Sequence, residues 1–370
     1  MSGEARDRPG LDPAVDRAPQ RRPRPGRRSP GGYQHGMGAD RGGATYAALD
    51  LGTNNCRLLV ARPTGGGFRV VDAFSRIIRL GEGVSASGHL GQAAIVRAIE
   101  ALAICRDKMK NKGVTRARLI ATEACRAAEN GAEFRDRVAS EIGLELEIID
   151  RETEALLAAT GCTPLIDPQS DGVVLFDIGG GSSELVRLER SHDVERGPPP
   201  PRIRGWISLK HGVVTLAEKH GGATVTRATY EAIVNEIAAL IAPFAQAHGG
   251  DIGRLHLLGT SGTVTTIAGV HLDLRRYDRN RVDGCWMSAG QIDGVIDRLL
   301  AMSYQERAAS PCIGPERADL VLAGCAILEA IRRAFPCPRL RVADRGLREG
   351  MLVQMMRDDG VWNDAQTAAS

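Results

Sequence analysis

The chain has 370 residues, 43% hydrophobic and 4% aromatic, with a formal net charge of +3. At about 100–200 residues per domain this length suggests two domains, the hydrophobic share supports a sizeable core, and so few aromatics exclude a base-stacking nucleic-acid surface. The charge is uneven: residues 1–44 hold nine Arg, no Lys and five acids, net +4, which leaves the remainder at −1.

That first segment is rich in Arg, Pro and Gly and has almost no bulky apolar residues. It cannot bury enough surface to offset its ordering entropy, so a disordered tail is expected over 1–44. Order begins at Tyr46. TYAALDLG, NCRLLVAR and GFRVVDAFSRII read as three strands joined by Gly turns. Residues 91–111 have apolar positions at helical spacing. ARLIATEA is a strand entering a loop, GAEFRDRVASEIG a helix closed by Gly143, LELEIID a strand and TEALLAATGC a helix. The pattern then restarts. GVVLFDIGG, SSELVRLER and PRIRGWISLK are strands, with a Pro-rich loop holding the dyad His192-Asp193 before the third. Helices follow over roughly 211–219 and 226–247, then the strand RLHLLGTSG. Helices 289–302 and 315–334, the strand RLRVAD and the helix GLREGMLVQMM complete the chain. The order specifies an α/β protein with a first lobe over 45–168, a second over 169–345 and a final helix, about 346–357, returning to the first.

The eight cysteines form no C-x-x-C pair and mostly sit in apolar runs, which reads as buried, reduced thiols in a cytoplasmic protein. No apolar run reaches the roughly 18 residues that span a membrane, and there is no secretory h-region. Neither a membrane nor a specific nucleic acid is an expected partner; a homodimer is compatible with the sequence.

The halves also share a motif. DLGTNNCRLLV from Asp50 and DIGGGSSELVR from Asp177 each have a strand ending in Asp, an apolar residue, Gly, a polar turn and a second strand, 127 residues apart. This indicates an internal duplication, with a ligand clamped between two similar turns. In the first turn Gly52, Thr53, Asn54 and Asn55 can offer backbone and side-chain donors to a phosphate, and Arg57 adds a donor fork; a plain hairpin with Asn at positive φ is the equal alternative. In the second, Gly179, Gly180 and Gly181, followed by Ser182 and Ser183, suit a backbone that must approach a ligand closely. The run Gly259, Thr260, Ser261, Gly262 reads as a glycine turn at a helix start, where an anion can sit. There is no P-loop, H-E-x-x-H or G-x-S-x-G.

DLGTNNCRLLV, ATEACR, FDIGGGSSELV, GTSGTVTTIAG and VADRGLREGML, in this order over roughly residues 46–356, resemble the main segments of the exopolyphosphatase and guanosine pentaphosphate phosphatase family. The paired Asp-Gly turns alone are shared with actin, chaperone ATPases and sugar kinases; ATEACR and RGLREGM are more specific. The resemblance implies an actin-like fold of two ribonuclease-H-like lobes around a cleft. It implies release of terminal phosphate from inorganic polyphosphate or guanosine pentaphosphate, with Mg²⁺, or Mn²⁺, as cofactor. The chain resembles the short, two-domain members without a helical C-terminal extension. On the resemblance Glu123 of ATEACR is the expected base, and Asp50, Glu154 and Asp177 are the expected metal ligands; pairing of Glu123 with Arg126 at a helix start is the plainer alternative. Arg345 and Arg348 reach either substrate or helix-surface ion pairs. A sugar- or acetate-type kinase and a non-enzymatic actin-like scaffold are the competing readings.

Overall fold

The computed structural model describes residues 43–190, 202–250 and 252–362; the expected tail up to residue 42 and the dyad His192-Asp193 lie outside them. Tight Gly turns join β1 (Tyr46–Leu51), β2 (Asn55–Thr64) and β3 (Gly67–Ile77) into an antiparallel meander. A single turn α1 (Val84–Ser87) and α2 (Gln92–Asn111) lead to β4 (Arg116–Ala121), which pairs parallel with β1. After α3 (Glu123–Ala127) and α4 (Gly131–Ile142), the short β5 (Glu147–Ile148) joins β4 in parallel. The sheet order is β3-β2-β1-β4-β5. The helical spacing read over 91–111 puts Ala94, Ala98, Leu102 and Cys105 of α2 against Leu49, Leu51, Leu58 and Val60 of the sheet. α5 (Arg151–Cys162) starts where Asp150 accepts from the Thr153 N–H at 2.7 Å, which satisfies one of the four orphan donors of a helix start.

The second sheet repeats this plan. β6 (Gly172–Ile178), β7 (Ser183–Glu189) and β8 (Arg202–Leu209) form a meander, α6 (Val213–His220) and α7 (Arg227–His248) cross over, and β9 (Leu255–Thr260) returns parallel to β6. Then come α8 (Ser261–His271), α9 (Arg279–Val282), β10 (Trp286–Ser288), α10 (Ala289–Ala301), α11 (Tyr304–Ala309), α12 (Val321–Ala334), β11 (Arg339–Val342) and α13 (Leu347–Asp358). The order is β10-β11-β9-β6-β7-β8. Without the three-residue edge strand β10, it matches the first sheet strand for strand, so the duplication seen in two turns extends to the topology.

Some elements differ from the sequence reading. The short α1, α9, α11 and β10 carry too few residues for a periodic signal. α12 begins at Val321, not 315: Gly314 is left-handed at φ 75, and Arg317 N→Gly314 O and Leu320 N→Arg317 O bonds hold 314–320 as turns.

α5 and α13 lie between the two sheets. α13 buries Leu347, Met351, Leu352 and Met356 with Tyr46, Ala48, Leu59 and Ile120 of the first sheet, while α5 gives Ala155, Ala159 and Cys162 to a cluster with Val173, Leu175 and Leu258 of the second. The two helices touch backbone to backbone. A Cβ on Gly161 would fall 2.0 Å from the Gly346 oxygen, and one on Gly350 1.9 Å from that of Leu157, so only glycine permits this approach. Among the described residues no helix is long and apolar enough to cross a membrane.

Candidate active site

The parallel strands of both sheets point their carboxyl ends into one cleft of about 440 Å³, the usual ligand position in open α/β sheets. β1 brings Asp50, β4 leads into Thr122 and Glu123, β6 brings Asp177, β9 leads into Thr260 and Ser261, and β11 leads into Asp344 and Arg348. The duplicated turns face each other. Each is closed by the same bond, Gly52 N to Asn55 O at 2.9 Å and Gly179 N to Ser182 O at 3.0 Å. Across the hairpins Asp50 pairs with Arg57, and at the equivalent place Asp177 pairs with Glu184.

The turns owe their glycines to contact, not to left-handed backbone, since neither Gly179–Gly181 nor Asn54 and Asn55 have positive φ. A Cβ on Gly180 would sit 2.9 Å from the Thr53 Cβ, and one on Gly181 2.7 Å from the Thr53 Oγ1 and 3.1 Å from the Glu123 Cγ. The second turn therefore lies flat against the first turn and Glu123. The N–H groups of Thr53, Asn54, Gly180 and Gly181 make no hydrogen bond to the described residues, which leaves them as donors for an anion. The third segment has no glycine turn: β9 runs straight into α8, with Ser261 at φ 79. Such a conformation in a non-glycine residue persists only where its surroundings fix it, and it clusters at functional sites.

Glu123 lies at the wall, 7% exposed, and two arginines hold its carboxylate. Arg126 donates from Nε at 3.0 Å and from NH2 at 2.6 Å; Arg151 NH2 donates to its two oxygens at 2.7 and 2.9 Å. The same Arg126 reaches Glu154 at 3.0 Å and the Ile149 carbonyl at 2.6 Å. The expected alternative of an exposed helix-start pair is thus half right: the pair with Arg126 exists, but it is buried in the cleft wall. Burial raises the pKa of four acids around it. Asp50 is raised, with Arg57 and Arg348 opposing. Asp177 reaches about 6, through burial relieved mainly by Arg57 and raised further by Asp50. Glu184 reaches about 7 through burial and the neighbouring Asp177. Glu154 rises well above its ordinary value through burial and Glu184. Burial thus disfavours the ionised form of these groups, and a cation among them would lower their pKa values.

Cations line the same space. Arg57, Arg317 and Arg348 all face the cleft, and none makes a side-chain hydrogen bond or ion pair with the described residues. Arg345 is different: its guanidinium is paired with Asp283, with Nε at 3.2 and 3.1 Å from the two oxygens. Two turns with free N–H groups, three guanidiniums without an ion pair among the described residues and a fixed buried carboxylate thus share one cleft, a donor set that suits an anion.

The chain also resembles known proteins over most of its length. The profile of the Ppx/GppA phosphatase family matches residues 59–359. The chain belongs to this family. It is 28% identical over 326 residues to Exopolyphosphatase 2 of Mycobacterium tuberculosis, covering 84% of this chain and 98% of the relative. The crystal structure of the Ppx/GppA family member of Aquifex aeolicus is 28% identical with a TM-score of 0.71, covering 85% of this chain and 98% of the other. An exopolyphosphatase from Cytophaga hutchinsonii, 22% identical over the same shares with a TM-score of 0.77, has the same fold. The chain is thus a phosphatase-family protein with the actin-like, two-lobed α/β architecture.

Of the residues expected at the Ppx/GppA site, Asp50, Gly52, Thr53, Asn54, Asn55, Arg57, Glu123, Glu154, Asp177, Gly179, Gly180, Gly181, Ser182, Thr260, Ser261 and Gly262 all line the cleft. Ser183 and Gly259 do not. The Ser183 hydroxyl donates to the His211 carbonyl at 2.7 Å, and Gly259 makes room for Phe176, whose ring a Cβ would meet at 2.5 Å. Arg317, which lines the cleft, and Glu184, buried behind it beside Asp177, were missed. Glu184 carries a findable signal, since it stands 127 residues after Arg57 in the repeat; Arg317 carries none, because only the fold brings its turn to the cleft.

Proposed function

We propose that this chain releases terminal orthophosphate from inorganic polyphosphate, from guanosine pentaphosphate, or from both, by attack of water. The observation that carries the reading is the placement of Glu123: a buried carboxylate, held at both oxygens, at the wall where two anion-receiving turns meet. Phosphoryl transfer to water needs an oriented nucleophile and neutralised equatorial oxygens. The free N–H groups of both turns, with Arg57, Arg317 and Arg348, supply donors to those oxygens. Glu123 accepts a hydrogen bond from the attacking water and takes its proton as the new P–O bond forms and the bridging P–O bond breaks; the shortened chain leaves with the electron pair. Arg126 and Arg151 keep its carboxylate fixed.

Mg²⁺, or Mn²⁺ in its place, fits the donor set. Among the described residues no three acid, His or Cys groups enclose a metal by themselves, but Mg²⁺ is commonly held by one or two carboxylates plus substrate phosphates and waters. Asp50, Asp177 and Glu154 are the carboxylates that would hold it, and the side-chain oxygens of Asn54 and Asn55 are buried acceptors without a partner among the described residues. Bound there, the ion would neutralise phosphate charge. The free thiols at all eight cysteines fit the cytoplasmic setting that both substrates imply.

The test is to assay both substrates side by side with no acceptor present, with Mg²⁺ and with EDTA. Phosphate release that EDTA abolishes is expected. Transfer only in the presence of a sugar or carboxylate acceptor would replace this reading with a kinase, and full activity in EDTA would remove the metal roles.

A further inference from the structure

We propose that Arg79 is a positioning residue: it clasps the two lobes and thereby presents Arg317 to the first phosphate-binding turn. The inference rests on the reading of Arg317 as a ligand of substrate phosphate.

Arg79 follows β3 and is stitched by its backbone to the first turn. Its N–H donates to the Asn54 carbonyl at 3.1 Å, next to an Ile78 N–H at 2.9 Å on the same oxygen, and the Gly81 N–H donates to the Thr53 carbonyl at 2.9 Å. At φ 46 it holds a conformation that a non-glycine residue keeps only when its neighbours impose it. Arg97 of α2 supplies a buttress from behind, donating through Nε to the Ile78 carbonyl at 2.8 Å and pairing with Glu82 at 3.1 Å.

The side chain crosses to the other lobe. Arg79 NH2 donates to the Glu316 carbonyl at 3.1 Å and to Asp319 Oδ1 at 3.0 Å. These two anchors flank Arg317. The segment is a set of turns rather than a helix: Arg317 N–H donates to the Gly314 carbonyl at 3.2 Å and its own carbonyl accepts from Leu320 N–H at 2.9 Å, and the Arg79 contacts tie these turns to the other lobe. A second crossing, Gly83 N–H to Glu218 at 2.8 Å, lies at the same seam, beside a hollow of about 320 Å³ bordered by Asn54, Arg79, Glu218 and Asp319. The Arg79–Asp319 pair is 31% and 26% exposed on its two side chains. A pair so wet adds little to stability. Its consequence is geometric: with the clasp closed, Arg317 and the N–H groups of the first turn form one rigid anion receptor drawn from both lobes.

The experiment is a double-mutant cycle on the full chain, read as the Kd for inorganic tripolyphosphate in EDTA by titration calorimetry. Arg79→Gln should weaken binding roughly tenfold, the size of one misplaced charge-assisted hydrogen bond, yet by less than about twofold in an Arg317→Ala background. Arg79→Lys should recover part of the loss, and the melting temperature of Arg79→Gln should stay within about 2 °C of the parent, as for a surface pair. Full affinity in Arg79→Gln, or the same loss with and without Arg317, would overturn the proposal. So would an Arg317→Ala variant of unchanged affinity. A coupled cycle in a protein that releases no phosphate would leave the clasp standing and remove the hydrolase reading, whereas turnover with an additive cycle would do the reverse.

Discussion

Replacing Glu123 by Gln removes one charge and leaves the shape, and the structure gives separate expectations for rate and stability. The carboxylate accepts bonds from Arg126 and Arg151, with Arg126 at 2.6 and 3.0 Å and Arg151 at 2.7 and 2.9 Å. A Gln amide keeps one acceptor but turns an NH2 towards a guanidinium. Arg126 retains Glu154 and the Ile149 carbonyl, and Arg151, 26% exposed, can turn to water. The loss should therefore fall below the 3–5 kcal/mol of an abandoned buried charge, at roughly 2 kcal/mol, or about 3 °C in the melting temperature of a chain this long. Loss of a general base costs about 10²–10⁴-fold in rate. The assay is orthophosphate release well below the variant's melting point, with polyphosphate affinity measured in parallel; kcat should collapse while affinity holds within a few-fold or tightens, because one negative charge facing a polyanion is gone. A folded Gln variant whose kcat stays within about threefold of the parent would refute the assignment, and Glu154 would be the next candidate.

Gly180→Val should raise KM by driving a side chain into Thr53, 2.9 Å from the new Cβ; unchanged kinetics would mean that the two turns do not need to touch. The two arginines of the final motif should separate: Arg348→Ala raises KM with little change in melting temperature, whereas Arg345→Ala, which abandons Asp283, lowers the melting temperature; equal behaviour would contradict their assignment. The pKa values near 6 for Asp177 and near 7 for Glu184 lie above those of the unfolded chain, about 4. The folded state thus binds protons that the unfolded state does not, so their contribution to stability is full below about pH 4 and is lost as pH rises through 6–7. The melting temperature without metal should therefore fall less between pH 5.5 and 8 in Glu184→Gln than in the parent, and an identical slope would show that Glu184 is not shifted.

How far the sequence carries is seen at particular residues. Asp50 and Asp177 were legible because a duplicated turn repeats them, and the register confirms their equivalence. Glu184 was passed over although the repeat marks its place, because the chemistry there changes from a cation to an acid. The run from Leu258 to Val264 looked like a third glycine turn, yet Gly259 serves Phe176 and the helix begins at Ser261; glycine for packing and glycine for a ligand look alike in one dimension. Arg317 was absorbed into an expected helix over 315–334, since a turn held by Gly314 at positive φ and by a partner from the other lobe has no periodic signature. The strands and long helices were readable from their spacing, whereas contacts between lobes, such as Arg79 with Asp319, depend on the folded arrangement alone.

The central claim is that water, not a second substrate, receives the phosphoryl group. It is tested most directly by running the reaction in ¹⁸O-labelled water with polyphosphate or guanosine pentaphosphate and analysing the released orthophosphate by mass spectrometry. One labelled oxygen is expected in each released orthophosphate, with none in the shortened product. Unlabelled orthophosphate, or phosphate release that occurs only when an acceptor is added, would contradict it.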